Sequence, residues 1–75
     1  MQGSKEIKKR AMEILYHSYH GLDFIEWCKS VQEDNSWYRS VQIQEIISEL
    51  IKKESKIEYL EKDNKKIYIH FDLLY

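Results

Sequence analysis

Apolar residues recur along this chain at helical spacing three times, and then at strand spacing. Ile7, Ala11, Ile14, Leu15 and Ser18 share one face at steps of three and four, with Met12 and Tyr19 on its flank. This spacing predicts a first helix from Lys5 to about His20, closed by Gly21, whose missing Cβ makes a left-handed end inexpensive. A second stripe, Phe24, Trp27, Cys28 and Val31, follows Asp23, and Glu26 three positions on completes a capping-box signature. This second helix is expected to end near Val31 or Gln32, ahead of the polar run Glu33-Asp34-Asn35-Ser36. Ser40 is the preferred cap of a third helix carrying Ile43, Ile46, Ile47, Leu50 and Ile51.

After Ser55 the period drops to two. Ile57 and Tyr59, then Ile67, Ile69, Phe71 and Leu73, alternate with polar residues and predict an antiparallel hairpin. A two-residue turn at Asp63-Asn64 would pair Leu60 with Ile67 and scramble the apolar faces. A three-residue loop, Lys62-Asp63-Asn64, pairs Tyr59 with Ile67, Ile57 with Ile69 and Glu61 with Lys65, and puts every apolar side chain on one face. The three-residue loop is therefore the expected register, with Asn64 left-handed and His70 turned outward. Tyr16, Tyr19, Trp27 and Tyr59 are expected in the core or at its rim.

The order helix, helix, helix, hairpin is an α+β arrangement. The run from Gln44 through Ile57, Glu58 and Tyr59 into Lys65-Lys66-Ile67-Tyr68-Ile69 resembles the recognition helix and wing of winged helix-turn-helix domains. In that family an apolar helix ends in a short Gly-containing turn, an aliphatic residue opens the first wing strand, and an aromatic-rich strand returns. Here Ser55 occupies the usual Gly position, and the segment from Glu33 to Arg39 is longer than the tight turn of bacterial regulators. The resemblance implies a three-helix domain with a two-stranded antiparallel wing at 56–71. Residues 1–4 are expected to be a disordered or appended N-terminus, and 5–75 the single domain.

The same resemblance implies a DNA-binding regulator that docks its third helix in the major groove. Arg39, Gln42, Gln44 and Ser48 would then face bases, beside Val41 and Glu45, while Lys52 and the wing residues Lys62, Lys65 and Lys66 would meet phosphates. A module of this size gives modest affinity alone, so occupancy of double-stranded DNA as a homodimer is the expected mode. The same fold class also serves as a protein-docking module in regulators and viral accessory factors. Trp37, Tyr38, Leu74 and Tyr75 are the candidate interface for that alternative.

Composition narrows the rest. The chain has 75 residues, 43% of them hydrophobic and 33% charged, enough for one small core and too polar for a membrane span. Its net charge of −1 is unevenly spread: residues 1–20 carry +2, 21–50 carry −4 and 51–75 carry +1. The basic groups thus sit in the first helix and around the hairpin, which argues against strong nonspecific DNA affinity. One cysteine, Cys28, cannot form an internal disulfide, so a reducing intracellular compartment is expected. His17 and His20 stand at H-x-x-H spacing but lack the further ligands zinc requires. No Gly-rich phosphate loop or nucleophile grouping is present, so no catalytic residue, cofactor or metal is expected.

Overall fold

In the computed structural model, which describes residues 3–74, three helices precede a two-stranded antiparallel sheet: α1 (Gly3–Tyr16), α2 (Phe24–Asp34), α3 (Ser40–Lys53), β1 (Ile57–Lys62) and β2 (Lys65–His70). A single 3-10 turn, Phe71–Leu73, follows. The α+β order expected from the periodicity is the one observed, and it is compatible with a winged-helix layout. Among the described residues no helix is long and apolar enough to cross a membrane.

The three stripes meet in one core. Ile7, Ala11 and Leu15 of α1, Trp27 and Val31 of α2, and Ile43, Ile47 and Leu50 of α3 are buried together. Trp27 is the largest of these side chains, fully enclosed, and its indole Nε1 donates to the Ala11 carbonyl at 3.0 Å. The small Ala11 side chain lets the indole approach the α1 backbone closely enough to make that bond. Tyr68 of β2 lies against the indole at 6.0 Å between ring centroids and ties the sheet to the helices.

The helix ends differ in detail from expectation. α1 stops at Tyr16, four residues before His20, and its first turn includes Gly3 and Ser4. The Ser18 hydroxyl donates to the Ile14 carbonyl at 2.8 Å, completing the end of the helix with a side chain. Asp23 caps α2 as expected, its Oδ1 accepting the Glu26 N–H at 2.7 Å. α2 continues through Glu33 and Asp34, and the turn begins only at Asn35. Asn35 is buried, and its side-chain amide donates to the Val31 carbonyl at 2.9 Å, which satisfies a carbonyl of the last turn and ends the helix within the polar run. Arg39, not Ser40, is the N-cap of α3, and the Gln42 side-chain oxygen accepts its backbone N–H at 3.0 Å. Ser55 carries no left-handed backbone: positive φ occurs only at Gly21, Asp63 and Asn64 among the described residues. A serine therefore replaces glycine there without strain.

The hairpin register is corrected. The turn has two residues, Asp63 and Asn64, and pairs Leu60 with Ile67, Tyr59 with Tyr68, Ile57 with His70, and Lys62 with Lys65. Both turn residues are left-handed, at φ 53° and 64°. That is the backbone of the hairpin turns whose twist matches the flanking strands. The expectation of one shared apolar face assumed that only one face of the hairpin is covered, yet the root of β2 is covered on both. On one side Tyr68 meets Trp27 and His70 meets the Tyr16 ring edge-on at 5.2 Å. On the other, Ile69 is buried and Ile67 lies against Gly21. His70 is thus inward, only 7% exposed, with Nδ1 accepting the Asp72 N–H at 3.1 Å. Tyr16, Tyr19 and Tyr59 are exposed, because α1 ends early and β1 leaves the body beyond Ile57.

Leu22 adds a third short rung. Its N–H donates to the Tyr68 carbonyl at 2.8 Å and its carbonyl accepts the Tyr68 N–H at 2.7 Å, so β2 lies between β1 and the segment entering α2. Gly21, at φ +77°, makes that approach possible.

Candidate functional site

The outer face of α3 is a polar surface along a 14-residue helix. Val41, Gln44, Glu45, Ser48, Glu49, Lys52 and Lys53 border one shallow depression, with Phe24 of α2 at its margin. Gln44, Ser48 and Lys52 make no side-chain hydrogen bond or ion pair within the described residues, so their polar groups are available to a partner. Gln42 differs, since its amide oxygen is committed to the helix cap. Arg39 is exposed and stands at the N-cap, before the first turn. Four of the residues expected to face DNA, Gln42, Gln44, Ser48 and Lys52, therefore occupy one helix with Arg39 at its N-cap, but only the last three of the four lie together on its open face.

Charge on this face is partly cancelled in place. Glu49 lies 3.1 Å from Lys53 and 3.5 Å from Lys8, and these ammonium groups hold its carboxyl below the usual carboxylate range, with Lys53 the larger influence. The contribution of Glu49 is complete above the ordinary glutamate range and fades as pH falls through its lowered value. Exposed pairs of this kind add little stability; here their consequence is to reduce the negative field on the helix. Glu45 has no ion pair within the described residues. On α1, Arg10 is bound to Asp34 at 2.7 Å and to Glu13 at 3.4 Å, which raises its already high pKa. Lys8 and Arg10 thus serve acids of the protein itself.

The hairpin lysines form a second group. Lys62 and Lys65 face each other across the closing rung, a like-charge pair that opposes the register. The left-handed turn residues prevail over that repulsion. Lys65 reaches to 4.0 Å from Asp23, a contact at the limit of an ion pair, and Lys66 lies 4.7 Å above the Tyr59 ring. Between hairpin and helix runs a cleft of about 250 Å³ bordered by Asp23, Phe24, Ile25, Lys65, Lys66 and Tyr68.

Phe24 borders both surfaces. It is the first residue of α2, and helical side chains lean toward the N-terminus, so it projects past the end of its helix into the space beside α3 and the hairpin. Helical spacing placed it on the apolar face of α2, and it is indeed partly buried against the core. Its position directly after the Asp23 cap also brings it to the margin of both surfaces.

The other candidates separate. Trp37 is 70% exposed, with only Tyr38 as a ring neighbour at 6.2 Å, whereas Tyr38 is half-buried against the core. Leu74 is 40% exposed. Tyr75 lies outside the described residues. Cys28 borders a groove between α2 and α3, and burial pushes its thiol up from 9.0 to about 11, which disfavours the nucleophilic thiolate. His17 and His20 are exposed at the end of α1, and no three His, Cys, Asp or Glu side chains among the described residues converge as a metal site.

Comparison of the chain with protein-family models, with curated proteins and with solved structures gives no match.

Proposed function

We propose that this protein is a winged-helix domain that binds double-stranded DNA, with α3 in the major groove and the hairpin as a wing on the phosphate backbone. The observation that carries this reading is the position of Phe24, which borders both the open face of α3 and the lysine-bearing hairpin cleft. A rod of 14 residues is about 21 Å long, and the major groove, about 12 Å wide, admits a helix. In that pose Gln44 and Ser48 face base edges, Lys52 meets a phosphate near the end of the helix, and Lys62, Lys65 and Lys66 meet the backbone flanking the groove. The electrostatic contribution is moderate, because Glu45 and Glu49 share the face and Lys65 must leave Asp23. Occupancy of a short site by a dimer, with regulation of transcription as its outcome, fits this modest affinity per module.

The experiment is fluorescence anisotropy of labelled duplex DNA across a salt series. Affinity falls linearly with salt on logarithmic axes, and Lys52→Ala and Lys65→Ala each reduce the slope by about 0.9, the release expected for one phosphate contact. Absence of binding to any duplex at low salt overturns the reading. A protein-docking domain is the second reading, favoured by the exposed indole of Trp37. It predicts that Trp37→Ala abolishes capture of a partner while the lysine variants leave capture unchanged.

A further inference from the structure

We infer that α3 selects A·T base pairs, through the Gln44 amide on adenine and the Val41 methyl groups on a neighbouring thymine. The inference rests on the placement of α3 in the major groove and adds which bases it reads. Four observations on the open face of α3 lead to it.

The two glutamines of the first turns are not equivalent. Gln42 spends its amide oxygen on the Arg39 N–H at 3.0 Å, while Gln44 makes no hydrogen bond within the described residues. A free carboxamide both donates and accepts on one edge, which matches the N6 amino group and N7 of adenine as a bidentate pair. Val41 comes three positions earlier, so it neighbours Gln44 on the helix surface. It is 56% exposed and borders the same depression. A branched apolar side chain there is left largely to solvent, and the thymine methyl is the apolar group that the major groove offers.

The chemistry that would read guanine stands elsewhere. Lys52 and Lys53 are in the last turn, and Arg39 precedes the helix, so no basic residue shares the first turns with Val41 and Gln44. Glu45, beside Gln44 and without an ion pair among the described residues, can only accept hydrogen bonds from DNA. The major groove offers only the amino groups of adenine and cytosine. The face therefore presents a methyl-sized apolar contact, an adenine-matching amide and an acceptor, in that order along the helix.

The test compares alternating polymers at equal phosphate concentration: poly(dA-dT), poly(dA-dU), poly(dG-dC) and poly(dI-dC). Uracil lacks only the thymine methyl. Inosine–cytosine keeps the major-groove pattern of G·C but presents a minor groove like that of A·T. Wild-type protein should bind poly(dA-dT) about fortyfold more tightly than poly(dG-dC) or poly(dI-dC), about tenfold from one bidentate pair and about fourfold from one methyl group. It should lose about fourfold on poly(dA-dU), the scale of one methyl group. Val41→Ala should make the protein indifferent to thymine against uracil, and Gln44→Ala should cut the preference over poly(dI-dC) about tenfold, to the roughly fourfold left by the methyl contact. Both residues are exposed, so circular dichroism should show both variants folded like the parent. Equal affinity for all four polymers overturns the inference and leaves DNA binding standing. Poly(dI-dC) bound as tightly as poly(dA-dT) overturns it in favour of minor-groove reading. A uracil penalty that persists in Val41→Ala overturns the role of Val41. No binding to any polymer overturns the DNA reading itself, and this inference with it.

Discussion

Trp27→Ala is expected to be the most destabilising substitution of a single core residue. The indole is fully buried at the junction of α1, α2 and β2, and removal of a buried Trp side chain costs about 3–5 kcal/mol. Net stability of about 0.05–0.15 kcal/mol per residue puts a chain of this length at about 4–11 kcal/mol, so the loss takes from about a quarter of it to all of it. The cavity would open where the sheet is attached, so Tyr68 loses its seat and the hairpin its anchor. Trp27→Phe keeps a ring in the site but removes the donor to the Ala11 carbonyl, which still serves the α1 ladder, and should be much milder. Urea denaturation followed by circular dichroism checks this. Tyr19→Ala, at an exposed position, should change stability by less than about 0.5 kcal/mol.

Gly21→Ala carries the second-largest expected effect. At φ +77° the added Cβ would stand 2.5 Å from Ile67 Cγ2 and 2.7 Å from the Tyr68 carbonyl oxygen. The isoleucine can shift, but the Tyr68 oxygen belongs to the backbone and accepts the Leu22 N–H. Relief therefore requires β2 to move off Leu22 and give up two backbone hydrogen bonds, at about 0.5–1.5 kcal/mol each. The left-handed conformation itself costs an alanine about 1–2 kcal/mol. The sum of about 3 kcal/mol corresponds to a fall in Tm of about 12–24 °C in a domain of this size. Thermal unfolding measures it directly, and a loss below about 1 kcal/mol would mean that Leu22 and β2 are not in contact.

These two residues also mark what the sequence could and could not reveal. The core was legible because each helix repeats its apolar residues at three and four, and all eight side chains of the helical core fall on those stripes. The hairpin was legible as a period of two, but its register was not. Alternation tells which residues share a face only when a single face is covered, and here Gly21 closes on Ile67 from the side opposite Trp27. That contact joins residues far apart in sequence and leaves no periodic trace. Helix ends were legible at Asp23, where the cap is a short acidic side chain bonded locally. At Asp34 they were not, because the buried amide of Asn35 caps the helix two residues into the polar run. Among the candidate site residues, the open face of α3 followed from helical spacing. The engagement of Gln42 in the cap and the reach of Phe24 depend on details at a helix N-terminus that polarity alone does not encode.

The outer face of α3 and the hairpin lysines are proposed to form one DNA-binding surface. Backbone amide NMR shifts during titration with a duplex test it most directly. The account predicts one contiguous set of perturbed amides, covering Phe24, the outer positions from Val41 to Lys52, and Lys62 to Lys66, while Arg10, Asp34 and Tyr16 stay unmoved. Perturbations gathered at Trp37 and Tyr38 or along α1, with α3 and the hairpin unaffected, would contradict it.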